Sequence, residues 1–123
     1  MKILLVVGVG SFIGGAARYL VTLLIQNKFL STFPYGTLAV NIIGCFLIGV
    51  IYGLSEKGNL SGEWRIFLAT GIMGGFTTFS SFSNDTVSML RDAQYWQALS
   101  YVGSSIIIGL AATFIGISLI KYL

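Results

Sequence analysis

The sequence predicts an all-α integral membrane protein, a single domain of four transmembrane helices covering residues 1–123. Two observations indicate this class. Hydrophobic residues make up 55% of the 123-residue chain and charged residues only 9%, whereas about 25% of the residues of a soluble domain are charged. Four apolar runs, each long enough for the ~20 residues that cross a bilayer, follow one another with short connections. The composition therefore excludes a soluble enzyme, a disordered chain and a disulfide-rich scaffold.

The four predicted spans differ in where they carry polar side chains. In the first span, Arg18 is the only interruption of the apolar run. The second follows Pro34, a residue suited to the start of a helix, and contains Asn41. The third is apolar at both ends but polar in its middle, and the fourth carries several hydroxyl groups. The predicted spans are residues 3–25, 35–54, 64–90 and 96–120.

The basic residues give only a weak signal of orientation. Four spans place both termini and the middle connection on one side of the membrane. Cytoplasmic segments usually carry an excess of Lys and Arg, but the excess here is small. The distribution therefore leaves open both insertion in two orientations and a single fixed orientation. One side holds Lys2, Lys57, Arg65 and Lys121, and the other holds Lys28 and Arg91.

Glycine pairs four residues apart predict helices that pack at close range, because small residues let backbones approach each other in lipid. Tight packing of this kind can serve contacts within one chain or between two copies. Four closely packed helices leave no room for a wide lumen, so a conducting path would be narrow or would lie between copies. The pairs are Gly10 and Gly14, Gly49 and Gly53, and Gly71 and Gly75.

The polar centre of the third span predicts a broken helix near the middle of the bilayer. The Gly74–Gly75 pair lets a helix unwind. Unwound backbone at membrane depth is tolerated only where protein or a water-filled cavity covers it. Broken helices often build ion sites there, so the main-chain oxygens from Gly74 to Thr78 form a candidate cation site. The alternative is a simple kink satisfied by Ser and Thr hydroxyls.

The same span carries an aromatic pair beside a row of hydroxyls. Phe79 and Phe82 are three apart and share a helix face. Ser80 and Ser83 form part of the hydroxyl stripe. Aromatic edges carry partial positive charge and hydroxyls are neutral donors, so together they could hold an anion weakly enough for conduction. The alternative is that both rings pack in a protein core.

Isolated polar residues elsewhere have two interpretations each. Asn41, Ser105 and Thr113 could face a pathway, or could hydrogen-bond between helices. Arg18 could extend to the membrane surface, or supply positive potential at a vestibule. Asp85 is isolated in the third span, and the sequence leaves its role open.

Several function classes lack their required residues. The chain has no histidine, which removes the common zinc sites and the Ser-His-Asp triad. Cys45 is the single cysteine and cannot form an internal disulfide. No basic cluster is present that could follow a phosphate backbone, so a nucleic-acid partner is not expected.

Three segments resemble the Fluc (CrcB) family of small fluoride channels: residues 14–19 (GGAARY), 35–41 (YGTLAVN) and 74–83 (GGFTTFSSFS). The resemblance implies a multi-pass protein of a bacterial inner membrane. It implies an antiparallel, dual-topology homodimer with two pathways, each built from both protomers. It also implies passive fluoride efflux that lowers cytoplasmic fluoride. The expected partners are fluoride, a second copy of the chain and membrane lipid.

The resemblance also implies roles for individual residues. Phe79 and Phe82 would meet fluoride with their ring edges, and Asn41 would be the pore asparagine. The backbone carbonyls of Gly74 and Thr77 would bind a structural Na⁺ at the dimer centre.

The remaining roles concern the vestibule and the fourth span. Arg18 would lie near the vestibule. Ser105 and Thr113 would belong to a track of hydroxyls on the fourth span. Gly109 stands where some relatives carry a serine, which leaves one position of that track without a hydroxyl.

Two other functions fit parts of the sequence. A small multidrug-type, proton-coupled exporter also has four short spans, but it needs a carboxylate in the membrane, usually in the first span, and this first span has none. A structural subunit of a larger membrane complex fits the glycine pairs. It gives no reason for a third span that is broken and polar.

Overall fold

The computed structural model describes residues 1–29 and 31–123, and every regular element within them is helical. Four segments are long and apolar enough to cross a membrane, which confirms the all-α, four-span prediction. The observed segments extend one to three residues beyond the predicted boundaries, except that the second begins at Tyr35 as predicted. The elements are α1 (Lys2–Lys28), α2 (Tyr35–Glu56), α3 (Gly62–Arg65), a π-helical segment (Ile66–Met73), α4 (Gly74–Phe76), α5 (Phe79–Arg91) and α6 (Tyr95–Lys121).

Local sequence signals set several helix ends. Pro34 is the residue before α2. Ser61 caps α3, where its hydroxyl accepts a hydrogen bond from the Trp64 amide. After α5 the chain forms a Schellman turn, in which Gln94 N–H donates to the Met89 carbonyl. Ala93 occupies the left-handed position of this turn with a φ of 58°, a conformation that favours glycine.

The helices pack in two pairs, with α1 against the first half of the third span and α2 against α6. Glycines bring the first pair into backbone contact. A Cβ atom at Gly75 would lie 2.5 Å from the Ser11 carbonyl oxygen, and one at Gly10 would lie 2.9 Å from the Gly71 Cα. The close packing predicted from the glycine pairs is thus present within one chain. Gly49 meets α6 in the same way.

The buried core is small and most large apolar side chains face outward. One buried cluster lies between α2 and the first half of the third span, and a second lies between α5 and α6. The outward-facing residues include Phe12, Ile107, Leu110 and Phe114. This distribution suits a protein whose solvent is lipid. The first cluster consists of Val40, Ile51, Ala69, Met73 and Phe76, and the second of Met89, Ala98 and Tyr101.

The third span contains two extended residues. Thr77 has φ −90° and ψ 156°, and Thr78 has φ −149° and ψ 117°, between the end of α4 and the start of α5. The expectation that the helix unwinds at the glycine pair itself is wrong, because Gly74 and Gly75 are helical. At Gly75 the missing side chain instead allows the close approach to α1.

Candidate functional site

The Asn41 side chain holds the extended residue Thr78 by two hydrogen bonds. The Thr78 amide donates to Asn41 Oδ1 over 2.8 Å, and Asn41 Nδ2 donates to the Thr78 carbonyl over 3.0 Å. The two residues are 37 apart in sequence. An unpaired backbone group at this depth would be costly. The carboxamide of α2 therefore stabilises the extended backbone of the third span.

Two side chains, those of Asn41 and Thr78, divert the donors that a continuous helix would supply to two carbonyl groups. In an α-helix the Gly74 carbonyl would accept from the Thr78 amide, but that amide donates to Asn41. The Thr77 carbonyl would accept from the Ser81 amide, but that amide donates to the Thr78 hydroxyl over 3.1 Å. The two carbonyls expected to bind a cation thus lose their usual helical partners. Carbonyl oxygens are suitable ligands for a hard cation such as Na⁺.

The two neighbouring carbonyls are occupied. The Met73 carbonyl accepts from both the amide and the hydroxyl of Thr77, each at 3.0 Å. The Gly75 carbonyl accepts from Arg18 Nε at 3.0 Å. Arg18 is therefore held against the end of α4 by a half-buried hydrogen bond. This contact was not foreseen in either sequence-based interpretation of the arginine.

A cavity of about 410 Å³ opens beside the extended residues. It brings together four of the predicted pathway residues, Asn41, Phe79, Phe82 and Ser105, with both predicted cation ligands. Sequence positions in three spans thus converge on one space. The lining residues are Asn41, Gly44, Cys45, Ile48, Ala69, Met73, Gly74, Thr77, Thr78, Phe79, Phe82, Ser105 and Ile106.

The aromatic pair lies at the wall of this cavity. The Phe79 and Phe82 rings have centroids 5.6 Å apart and planes inclined by 48°. Phe79 is 78% exposed, whereas Phe82 packs against Tyr101 with centroids 5.1 Å apart. Phe79 is thus not part of the core of a single chain. The core-packing alternative describes Phe82 in part and does not describe Phe79.

The cavity also presents neutral hydrogen-bond donors. Asn41 Nδ2 has two hydrogens and uses one for Thr78, so one remains. The Ser105 hydroxyl is buried without a hydrogen-bond partner among the residues the structure describes. Moreover, α5 begins at Phe79, which places the amide end of a 13-residue helix at the cavity. Helix N-termini favour negative charge, so the electrostatics here suit an anion.

Three predicted pathway residues lie outside the lining. Ser80 and Ser83 are exposed, and the Ser80 hydroxyl lies 3.2 Å from that of Thr78. Thr113 donates its hydroxyl proton to the Cys45 carbonyl over 2.9 Å. That bond is the helix–helix alternative for Thr113, and it leaves the hydroxyl no proton for an anion. Gly109 is buried, and a Cβ atom there would lie 3.4 Å from the sulfur of Cys45.

One polar pair was missed by sequence reasoning. The fully buried Tyr101 donates its hydroxyl to Asp85 Oδ2 over 3.0 Å, which joins α6 to α5. The available signal was the position of Tyr101, several residues inside the fourth span. A tyrosine buried away from the membrane surface needs a partner for its hydroxyl. Asp85, whose role the sequence left open, supplies that partner.

Four helices long and apolar enough to cross a membrane, three of which line a common cavity, define a multi-pass membrane protein, and its relatives place it in a cell membrane. A family model described as "CrcB-like protein, Camphor Resistance (CrcB)" matches residues 5–117. The chain belongs to this CrcB family, which confirms the resemblance found in the sequence motifs.

Curated bacterial relatives match over nearly their whole length, and each is named "Fluoride-specific ion channel FluC". The protein of Chlorobium phaeobacteroides is 48% identical over 96% of this chain and 92% of its own length. That of Flavobacterium psychrophilum is 42% identical over all of both chains. That of Phocaeicola vulgatus is 40% identical over 95% of this chain and 97% of its own. These are names of channels rather than of enzymes, in line with the missing catalytic motifs.

Proposed function

We propose that this chain is a fluoride-specific ion channel that allows passive efflux of fluoride and so lowers its cytoplasmic concentration. The names of the full-length relatives support this function. The observation that carries it is the cavity at the extended residues of the third span, where an aromatic pair, an amide hydrogen and a free hydroxyl meet at a helix N-terminus.

The lining offers an anion several weak sites in place of one strong one. The edges of Phe79 and Phe82 carry partial positive charge. Asn41 and Ser105 contribute one donor each. No Lys or Arg stands among the residues that line the cavity. Conduction requires binding that is weak enough to release the ion, and neutral donors meet this requirement better than a fixed ammonium group would.

The decisive experiment measures efflux from liposomes loaded with fluoride or chloride. We expect fluoride efflux without a proton gradient, and little chloride efflux. The variants Phe79→Ile and Phe82→Ile should strongly slow fluoride efflux. Phe114→Ile, at an exposed position of α6, should leave fluoride efflux unchanged. Equal passage of both anions, or fluoride movement that requires a proton gradient, would exclude a fluoride channel. Unchanged flux in both pore variants would exclude the assigned pathway.

We also propose that the working form is an antiparallel homodimer. In a single chain the cavity is open on one side and the Phe79 ring is exposed, so each pathway lacks one wall. A second copy of the chain could supply that wall. The weak charge bias permits insertion in both orientations.

Thiol labelling tests the orientation of the chain. In a Cys45→Ser background, Lys57→Cys places a thiol in the connection after α2. An impermeant thiol reagent should label about half of it from each side in dual topology, and all of it from one side in a fixed orientation.

The final part of the proposal is a structural Na⁺ held by the carbonyls of Gly74 and Thr77. Two copies related by a two-fold axis would contribute four such oxygens. The ion would neutralise the partial negative charge at the C-terminal ends of two helices. We expect the purified dimer to unfold at a higher temperature in Na⁺ than in a large organic cation at equal ionic strength. Identical unfolding temperatures would argue against the ion, independently of any flux measurement.

A further inference from the structure

A groove lies at the charged end of the contact between α1 and the third span. It consists of a cavity of about 220 Å³ and an adjoining one of about 150 Å³, which share Val6 and Glu63 among their lining residues. At its mouth, Lys2 Nζ lies 3.5 Å from Glu63 Oε1. The groove shares no lining residue with the central cavity.

The groove changes from charged to apolar along both helices. Val6 follows Lys2 by four residues, so both lie on one face of α1 and Val6 is about 6 Å deeper. Phe67 follows Glu63 in the same way on the third span. Trp64 completes one wall, where its ring meets that of Phe67 edge to face with centroids 5.6 Å apart. A charged mouth above an apolar floor matches a phospholipid, with its headgroup at the surface and its acyl chain in the bilayer.

The position of the groove agrees with the depth of a headgroup. Tryptophan is enriched at the boundary between membrane and water. Trp64 is 57% exposed and lies one residue after Glu63, close to the start of the third span. The apolar floor therefore lies at the depth where the acyl chains begin.

The mouth carries one charge of each sign, and this selects among headgroups. The ion pair is exposed on both sides, with side chains 80% and 56% accessible, so the two partners hold each other weakly. A headgroup phosphate can pair with Lys2, and an ethanolamine ammonium can donate hydrogen bonds to Glu63. A choline group has no N–H to donate. A glycerol headgroup has no cation to pair with Glu63, so the repulsion between that carboxylate and the lipid phosphate is not compensated.

We propose that this groove is a binding site for phosphatidylethanolamine, with the phosphate on Lys2, the ammonium on Glu63 and one acyl chain beside Trp64 and Phe67. The site differs from the ion pathway in place and in chemistry. It depends on the membrane location of the chain and not on fluoride conduction.

Tryptophan quenching by lipids with brominated acyl chains tests the proposal directly. In a Trp96→Phe background, Trp64 is the only tryptophan, and Trp96 is 81% exposed, so its replacement is expected to be tolerated. The protein is reconstituted in vesicles that contain equal fractions of brominated phosphatidylethanolamine, phosphatidylcholine or phosphatidylglycerol. We expect an apparent affinity for the ethanolamine lipid that is about two- to fivefold higher than for the others, as suits exposed charge pairs.

Two variants and a control make the outcome specific. Glu63→Gln should abolish the preference for ethanolamine over choline, and Lys2→Ala should weaken binding of every phospholipid tested. Glu56→Gln removes an acid at the end of α2 and should leave the preference intact. Equal quenching by all three lipids, a preference for the glycerol lipid, or a preference that survives Glu63→Gln would each overturn the proposal.

Discussion

Replacing Asn41 by aspartate tests the link between the extended residues and the pathway. The carboxylate retains an acceptor for the Thr78 amide, which donates over 2.8 Å. It has no hydrogen to donate to the Thr78 carbonyl, which accepts from Asn41 Nδ2 over 3.0 Å in the unsubstituted chain. The carbonyl then faces a second oxygen, and a buried acceptor without a donor costs ~1–3 kcal/mol.

The added charge has a larger effect on an anion. Two like unit charges ~4 Å apart repel by ~4 kcal/mol at an effective dielectric constant of ~20. If this repulsion adds fully to the free-energy barrier for fluoride conduction, the fluoride flux falls by about a thousandfold. We therefore expect Asn41→Asp to abolish measurable fluoride efflux and also to lower the unfolding temperature.

The assay compares initial fluoride efflux per reconstituted protein for Asn41→Asp, Asn41→Ala and Asn84→Asp. Asn84 is exposed on α5, so its replacement adds the same charge outside the cavity lining. Asn41→Ala removes both hydrogen bonds without adding charge and should reduce efflux less than Asn41→Asp. Size-exclusion profiles show which variants remain folded. Efflux by folded Asn41→Asp equal to that of Asn84→Asp would refute the reasoning.

Three further predictions concern other parts of the fold. Thr113→Val removes a helix–helix hydrogen bond and should lower stability by ~1 kcal/mol with little loss of flux; a large loss of flux in stably folded protein would return Thr113 to the pathway. Ala93→Gly relieves a left-handed residue and should raise stability by ~1 kcal/mol, measured by thermal unfolding in detergent; a lower unfolding temperature would contradict this. Gly75→Ala should prevent folding because the new methyl group meets α1, whereas Gly103→Ala, with nothing within 4 Å, should be tolerated; normal yields of both would show that the contact with α1 is not tight.

The sequence predicted those features that depend on local composition. Runs of apolar residues identify spans because only helices satisfy their own backbone groups in lipid. Phe79 and Phe82 could be placed together because they are three apart on one helix. Both predictions depend only on residues that are close together in the sequence.

The site depends on contacts that local patterns do not specify. The helix departs from regularity at Thr77 and Thr78 because Asn41, 37 residues from Thr78, supplies the replacement hydrogen bonds. The glycine pair itself is helical, and the extended residues follow it at Thr77 and Thr78. Ser105 and Thr113 are eight residues apart on the fourth span, a spacing that predicts both hydroxyls on the same helix face. The Cys45 carbonyl on the neighbouring helix nevertheless takes the hydroxyl of Thr113.

The two halves of the third span belong to different packing units. The half up to Phe76 is fixed against α1, backbone to backbone, while α5 contacts α6. The extended segment of Thr77 and Thr78 is therefore the link between these two units within the third span. Asn41 hydrogen-bonds this link from α2, which itself packs against both α1 and α6. One carboxamide thus fixes the backbone at the point where the two units join.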